Sequence, residues 1–143
     1  MTRIVLGLVV ILYLWAGMAA ADDDAAAIEM LQAQRAAHGL HPVQPHPQLM
    51  AAAQIHAHDM ARHGFLSHRG SDGSDLATRI RRQGFCYRAA NENVASGYQA
   101  SVLAMQGWFA SPGHRRNALS RDVTHYGFAR VARSWVMVMG RPC

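Results

Sequence analysis

The 143-residue chain has no lysine, so all 14 of its basic residues are arginine, and it has only two cysteines, Cys86 and Cys143. Among its nine histidines no two stand at i and i+4, and there is neither H-E-x-x-H nor a cysteine pair at ligand spacing. The usual ways of building a metal site on one helix are therefore excluded. There is no G-x-S-x-G elbow; Gly70-Ser71-Asp72-Gly73-Ser74 has the composition of a solvent loop and indicates no serine nucleophile. The arginines are scattered, and only Arg79, Arg81 and Arg82 cluster. Without a recognition helix or an aromatic ladder beside them, nucleic acid is not an expected partner. A solvated basic face, drawn to anionic lipid or wall polymer, accounts for the charge better. No internal repeat is present.

What the chain does have begins with a leader pattern. Arg3 precedes the apolar run Ile4–Trp15, then come small residues up to Ala21 and the abrupt Asp22-Asp23-Asp24. These are the three regions of a secretory signal, expected over residues 1–21 with cleavage after Ala21 and a single domain over 22–143. The run is short for a bilayer span, so no stable membrane span is expected after cleavage, and the product is secreted or periplasmic. Losing Arg3 lowers the formal charge from +5 to +4. In an exported protein two cysteines most simply form one disulfide, here Cys86–Cys143. It would close a loop of about 57 residues, contributing about 4 kcal/mol in the chain-entropy model. A catalytic thiol beside a histidine is the alternative, and no local motif supports it.

Hydrophobic spacing and punctuation order the domain. Asp22–Asp24 is an N-cap candidate for a helix over Ala25–His38 stopped by Gly39, with Ala27, Ile28 and Leu31 on one face. Pro42, Pro45 and Pro47 make the next segment extended. A second helix is predicted from Pro47 to His63, its stripe formed by Leu49, Ala52, Ala53, Ile55 or His56, and Met60. Asp75 caps a short helix over Leu76–Gln83, and Ala89–Gly97 suits a buried strand. A helix over Ala100–Phe109 is broken by Pro112, so Ser111–His114 is expected as a tight polar turn, with Arg115, Arg116 and Asn117 expected on the surface. His125–Ala132 and Ser134–Gly140 alternate as strands around a turn at Arg133-Ser134. The whole is an α+β arrangement with a small antiparallel sheet.

One stretch concentrates the candidate chemistry. Glu92 is the only acidic residue between Asp75 and Asp122, and Ala89, Ala90, Val94 and Ala95 flank it. If buried, its carboxylate needs donors, and His68 and His114, each in a polar turn, are candidate suppliers. The three residues suit three tasks: pinning loops, holding zinc or another divalent cation, or general acid–base work by Glu92. His56 falls on an apolar stripe and is expected as a hydrogen-bonded core residue. His38, His41, His46, His58 and His63 are discounted as ligands.

Taken together, His56-Ala57-x-Asp59-Met60-Ala61, Phe65-x-Ser67-His68, Arg79-x4-Gly84, Glu92-Asn93-Val94-Ala95, Trp108-x2-Ser111-Pro112-Gly113-His114-Arg115-x-Asn117 and Tyr126-Gly127 closely resemble a bacterial member of the CAP superfamily. That superfamily groups cysteine-rich secretory proteins, antigen 5 and pathogenesis-related proteins of group 1. The resemblance covers nearly all of Ala25–Gly140. It implies a three-layer α-β-α sandwich around a small central sheet, and a cleft lined by two histidines and two acids. By motif position the histidines are His68 and His114 and the first acid is Glu92. The second acid's position holds Ser111, so the site lacks a negative charge, and Asn117 is a neighbouring polar candidate. Family resemblance does not choose among functions. With an incomplete acid/His set and no recognisable nucleophile, the expected function is a non-catalytic module at the cell envelope, a monomer binding a small molecule, a lipid, a cell-wall component or weakly a metal. A metal-dependent hydrolase using Glu92, His68 and His114 is the alternative.

Overall fold

The computed structural model describes residues 4–143, with side chains from Met18 onward. The leader expected over residues 1–21 therefore lies almost wholly outside the residues whose side chains are described. The first helix, α1 (Ile4–Ala37), runs through Asp22–Asp24 without interruption. Those aspartates do not cap its start, because Ala19–Ala21 and Ala25–Ala27 on either side are strong helix formers and no breaker separates them. α1 ends at Gly39, whose left-handed backbone (φ 66°) lets Leu40 N donate to Arg35 O at 3.0 Å.

The next elements are a two-residue strand β1 (Gln44–Pro45) and the helix α2 (Pro47–His63). Pro47 sits in the first turn of α2, and His46 Nδ1 accepts from Gln48 N at 3.3 Å. Left-handed Gly64 closes the helix with its N–H on Met60 O. α3 (Leu76–Arg82) is capped by Asp75, which accepts from Thr78 N at 2.7 Å. β2 (Tyr87–Ser96) and α4 (Ser101–Ala110) follow. Ser111–His114 is not a turn: Pro112 ends α4 and at once begins a further helix, α5 (Pro112–Ala118). Proline is unfavourable inside a helix yet suited to its first position, so the same residue does both. β3 (His125–Val131) and β4 (Ser134–Pro142) form the closing hairpin. Its turn is Ala132-Arg133, one residue earlier than expected, with Ala132 at positive φ.

The sheet has the order β1-β3-β4-β2. β2, β3 and β4 pair antiparallel, while β1 joins β3 in parallel, so the sheet is mixed. Side-chain alternation along β4 divides the core in two. Trp135, Met137 and Met139 face α1, α4 and α5, together with Leu31, Met105 and Trp108. Val136 and Val138 face α2 and α3, together with Leu49, Met60 and Ile80. This is the three-layer α-β-α sandwich. α2 lies so close to β3 that a Cβ on Gly127 would overlap the Leu49 backbone, which explains a glycine in mid-strand.

The chain ends are tied to this frame. Cys86 and Cys143 form a disulfide with Cα atoms 5.5 Å apart, fastening the end of β4 beside the start of β2. At the other end, Asp23 accepts from Ser101 N at 2.6 Å and pairs with Arg130 at 3.1 Å. Asp24 accepts from Ser101 Oγ, which in turn accepts from Trp135 Nε1 at 2.9 Å. The aspartates thus cap α4, whose own N-cap residue, Ala100, has no side chain to do so. Among the described residues no helix is long and apolar enough to cross a membrane.

Candidate functional site

β2 is an edge strand, and its period of two sends neighbouring side chains into different layers. Asn91 and Asn93 turn toward α5, where their amides donate to Asn117 O at 3.3 Å and to His114 O at 3.0 Å. Glu92, between them, turns toward α2 and α3. Two carbonyls of this edge are covered by helices: Asn117 Nδ2 donates to Glu92 O at 3.1 Å, and Trp108 Nε1 to Val94 O at 3.1 Å. Such covering prevents edge-to-edge pairing and fixes α5 against the strand.

The Glu92 carboxylate is 2% exposed and engaged at both oxygens. Oε1 accepts from His68 Nδ1 at 2.8 Å, and Oε2 accepts from the guanidinium of Arg79 at 2.7 Å. Arg79 is itself 4% exposed and also donates to His68 O at 2.9 Å and Ser74 O at 3.0 Å. One arginine therefore holds the acid, the loop before α3 and the histidine's backbone together. A carboxylate buried with two charge-assisted donors is fixed in place and cannot turn to reach solvent water.

The two histidines respond differently. His68 must carry its proton on Nδ1 to donate to Glu92, which leaves Nε2 directed elsewhere on a 59% exposed side chain. That hydrogen bond raises its pKa above the ordinary histidine value, against the opposing effect of burial. His114 lies in α5 and does not bond Glu92. Burial, and then the charge of His68 nearby, lowers its pKa. Ser111 occupies the junction of α4 and α5 and brings no charge. Asn117 contributes its amide to Glu92 O and, at 2.9 Å, to Asn93 Oδ1, so it serves the strand.

Arg79 is the residue that sequence reasoning missed. It sits beside Arg81 and Arg82, which are exposed, and resembles them in composition. Its helical position was the available signal: it lies three residues after Leu76 and next to buried Ile80, on the inner face of α3. His56 is a core residue, fully buried, with Nε2 donating to Ser67 O at 2.8 Å. Ile55, its rival for the stripe, is 51% exposed.

The donor set fits a divalent cation poorly. His68 and His114 offer two nitrogens, Ser111 replaces an acid, and the one carboxylate is neutralised by Arg79. Among the described residues no group of three or more His, Cys, Asp or Glu side chains is placed to hold a metal ion, and three protein ligands are a minimum for zinc.

Comparison with known proteins agrees with this fold. The family model of the cysteine-rich secretory protein family (CAP) matches residues 28–137, and the chain belongs to that family. It is 29% identical over 104 residues to the uncharacterized protein YkwD of Bacillus subtilis, covering 73% of this chain and 40% of that one. It is likewise 29% identical over 100 residues to the uncharacterized membrane protein YlbC of the same organism, covering 70% of this chain and 29% of that one. The chain thus spans well under half the length of these curated relatives. Among solved structures, an SCP-domain extracellular protein of Bacillus anthracis superposes with a TM-score of 0.81 at 25% identity, over 85% of this chain and 41% of that one. An outer surface protein of Borrelia burgdorferi shares the fold at 19% identity and a TM-score of 0.77, over 85% of this chain and 94% of its own.

Proposed function

We propose that the chain is an exported, non-catalytic binding module that acts at the cell envelope. A cleft between His68 and His114, floored by Glu92, would take a small polar ligand. The observation that carries this reading is the double engagement of Glu92. With both oxygens held by His68 and Arg79, the acid serves as a fixed anchor for His68 and not as a base free to activate water. His68 Nε2 and the His114 ring then become the polar groups available to a ligand, one tending to positive charge and one to neutrality. Such mixed, preorganised polarity suits recognition of a small molecule, a lipid headgroup or a wall fragment.

Export is supported by the leader pattern, by the disulfide, and by relatives described as extracellular or outer surface proteins. In this reading cleavage falls after Ala21. Asp23, two residues later, makes the tie to α4 and Arg130 described above, so the packed domain begins where the leader would end.

The test is co-sedimentation of the oxidised protein with isolated bacterial envelopes, repeated with His114→Ala. Among the described residues the His114 side chain makes no hydrogen bond, so the variant is expected to fold and to lose association. Association unchanged by the substitution would overturn the cleft reading. Turnover of peptide, ester or glycan substrates, abolished by chelators and by Glu92→Gln, would overturn the non-catalytic one.

A further inference from the structure

The C-terminal ends of α1 and α5 meet beside the start of β3, and the positive charge of the domain collects there. Residues 33–42 and 111–124 contain four arginines, Arg35, Arg115, Arg116 and Arg121, against one acid, Asp122. That local excess of three charges is most of the formal +4 left once the expected leader is removed. None of the four arginines makes an ion pair among the described residues. Arg115 Nη2 instead donates to His38 Nε2 at 3.2 Å, where a carboxylate would be the stronger acceptor. Arg121, with His41, stands on the wall of a concavity of about 280 Å³ between the two segments. Arg115, Arg116, Arg121, His38 and His41 are all exposed, so an anion reaches them from solvent.

Arginines near helix C-termini usually serve the carbonyls that a helix leaves open. Here those carbonyls are already taken. Buried Arg35 donates from Nη1 to Ala118 O at 2.9 Å and Ser120 O at 3.0 Å, and from Nε to His41 O at 3.0 Å. At the end of α1 the N–H groups of His38 and Leu40 return to Arg35 O, and that of Gly39 to Ala36 O. Arg35 therefore removes acceptor oxygens from this end of the molecule and adds a charge of its own beneath it. Burial lowers its pKa, and no neighbouring acid opposes that shift. The exposed guanidiniums are left free of capping work.

What the region lacks narrows the partner. Residues 33–42 and 111–124 contain no Phe, Tyr or Trp, so there is no platform for nucleic-acid bases and no aromatic anchor for a bilayer interface. The exposed large apolar side chains Met50, Ile55, Leu66, Tyr98 and Leu103 all lie on other segments. The concavity is smaller than most small-molecule sites, roughly 300–1,000 Å³, yet it admits a phosphate group. Its cations come from separate segments, which suits tetrahedral phosphate, with oxygens on every side, better than a planar carboxylate. We propose that the α1–α5 end is a docking surface for a linear phosphate polymer. One phosphate enters the concavity beside Arg121 and another meets Arg115 and Arg116. Neither His68 nor the His114 ring takes part, so the surface does not rest on the cleft reading.

The experiment is a titration of the oxidised protein with long-chain inorganic polyphosphate, followed by NMR of the arginine Nε–H groups. Arg115 and Arg121 are expected to shift saturably. With three phosphates neutralised, counterion release predicts about a 20-fold loss of affinity between about 50 and about 200 mM salt. Arg115→Gln combined with Arg121→Gln, both at exposed positions, should weaken binding about tenfold or more. Arg62→Gln combined with Arg81→Gln removes the same charge from exposed positions of the α2–α3 layer, and should weaken it by only about twofold. Polygalacturonate, a carboxylate polymer, and phosphatidylglycerol vesicles are the competing probes, each expected to bind more weakly than polyphosphate. The proposal is overturned if polyphosphate moves neither resonance, if the two double variants weaken binding equally, or if either competing probe binds as tightly as polyphosphate.

Discussion

His68 and His114 lie close enough for the charge of one to act on the other, and their environments drive their pKa values in opposite directions. His68 touches a carboxylate and is pulled up; His114 touches none and is pushed down by burial and by His68 itself. The difference lies in which ring reaches Glu92. Ser111, three residues before His114, brings no charge, so that imidazole has no carboxylate beside it. The remaining acid, Glu92, is further committed to Arg79 behind it. The two histidines are therefore unequal: one is hydrogen-bonded to a carboxylate and the other is not.

Breaking the pair behind His68 should have the largest effect. Arg79→Met leaves Glu92 buried with His68 alone, and urea denaturation should register a loss of about 3–5 kcal/mol. A smaller loss comes from the His114 side of the strand. Asn93 is fully buried and joins both His114 O and Asn117, so Asn93→Ala should cost about 1–3 kcal/mol. Ser111→Glu sharpens the comparison by restoring the missing charge. It should reverse the direction of the His114 shift and strengthen zinc binding about tenfold or more, measured by calorimetry.

The smallest effect is the pH dependence of the His68–Glu92 pair. His68's folded pKa is raised, so the stability it contributes is fully present below its unfolded value of about 6.5 and is lost as pH rises through the folded value. The stability gap between wild type and His68→Gln should therefore be widest near pH 6 and close toward pH 8–9. Since His68 is largely exposed, that gap should stay below about 1 kcal/mol. His114 behaves inversely: with its folded pKa lowered, wild type should lose stability relative to His114→Gln as pH falls below about 6.5.

Local chemistry made most of the frame legible. Pro47 and Gly64 bound α2 at its observed ends, Asp75 caps α3, and alternation marks β3 and β4. The segment Ser111–His114 misled because Pro112-Gly113 is turn-like in composition, while α5 is only seven residues and draws its order from Asn91, Asn93 and Asn117 across the edge strand. β1 has two residues and no periodicity to detect; it exists because β3 offers it an edge. In the site, Glu92 and His68 were legible as partners, whereas Arg79 was hidden among surface arginines. Its role depends on which face of a two-turn helix meets β2, and that is set by tertiary packing.

The most direct measurement is an NMR pH titration of the two imidazoles in the oxidised protein. The account predicts that His68 titrates above about pH 6.5 and His114 below it, with His68 falling back toward 6.5 in Glu92→Gln. Both rings titrating on the same side of that value, or His68 indifferent to Glu92, would contradict it.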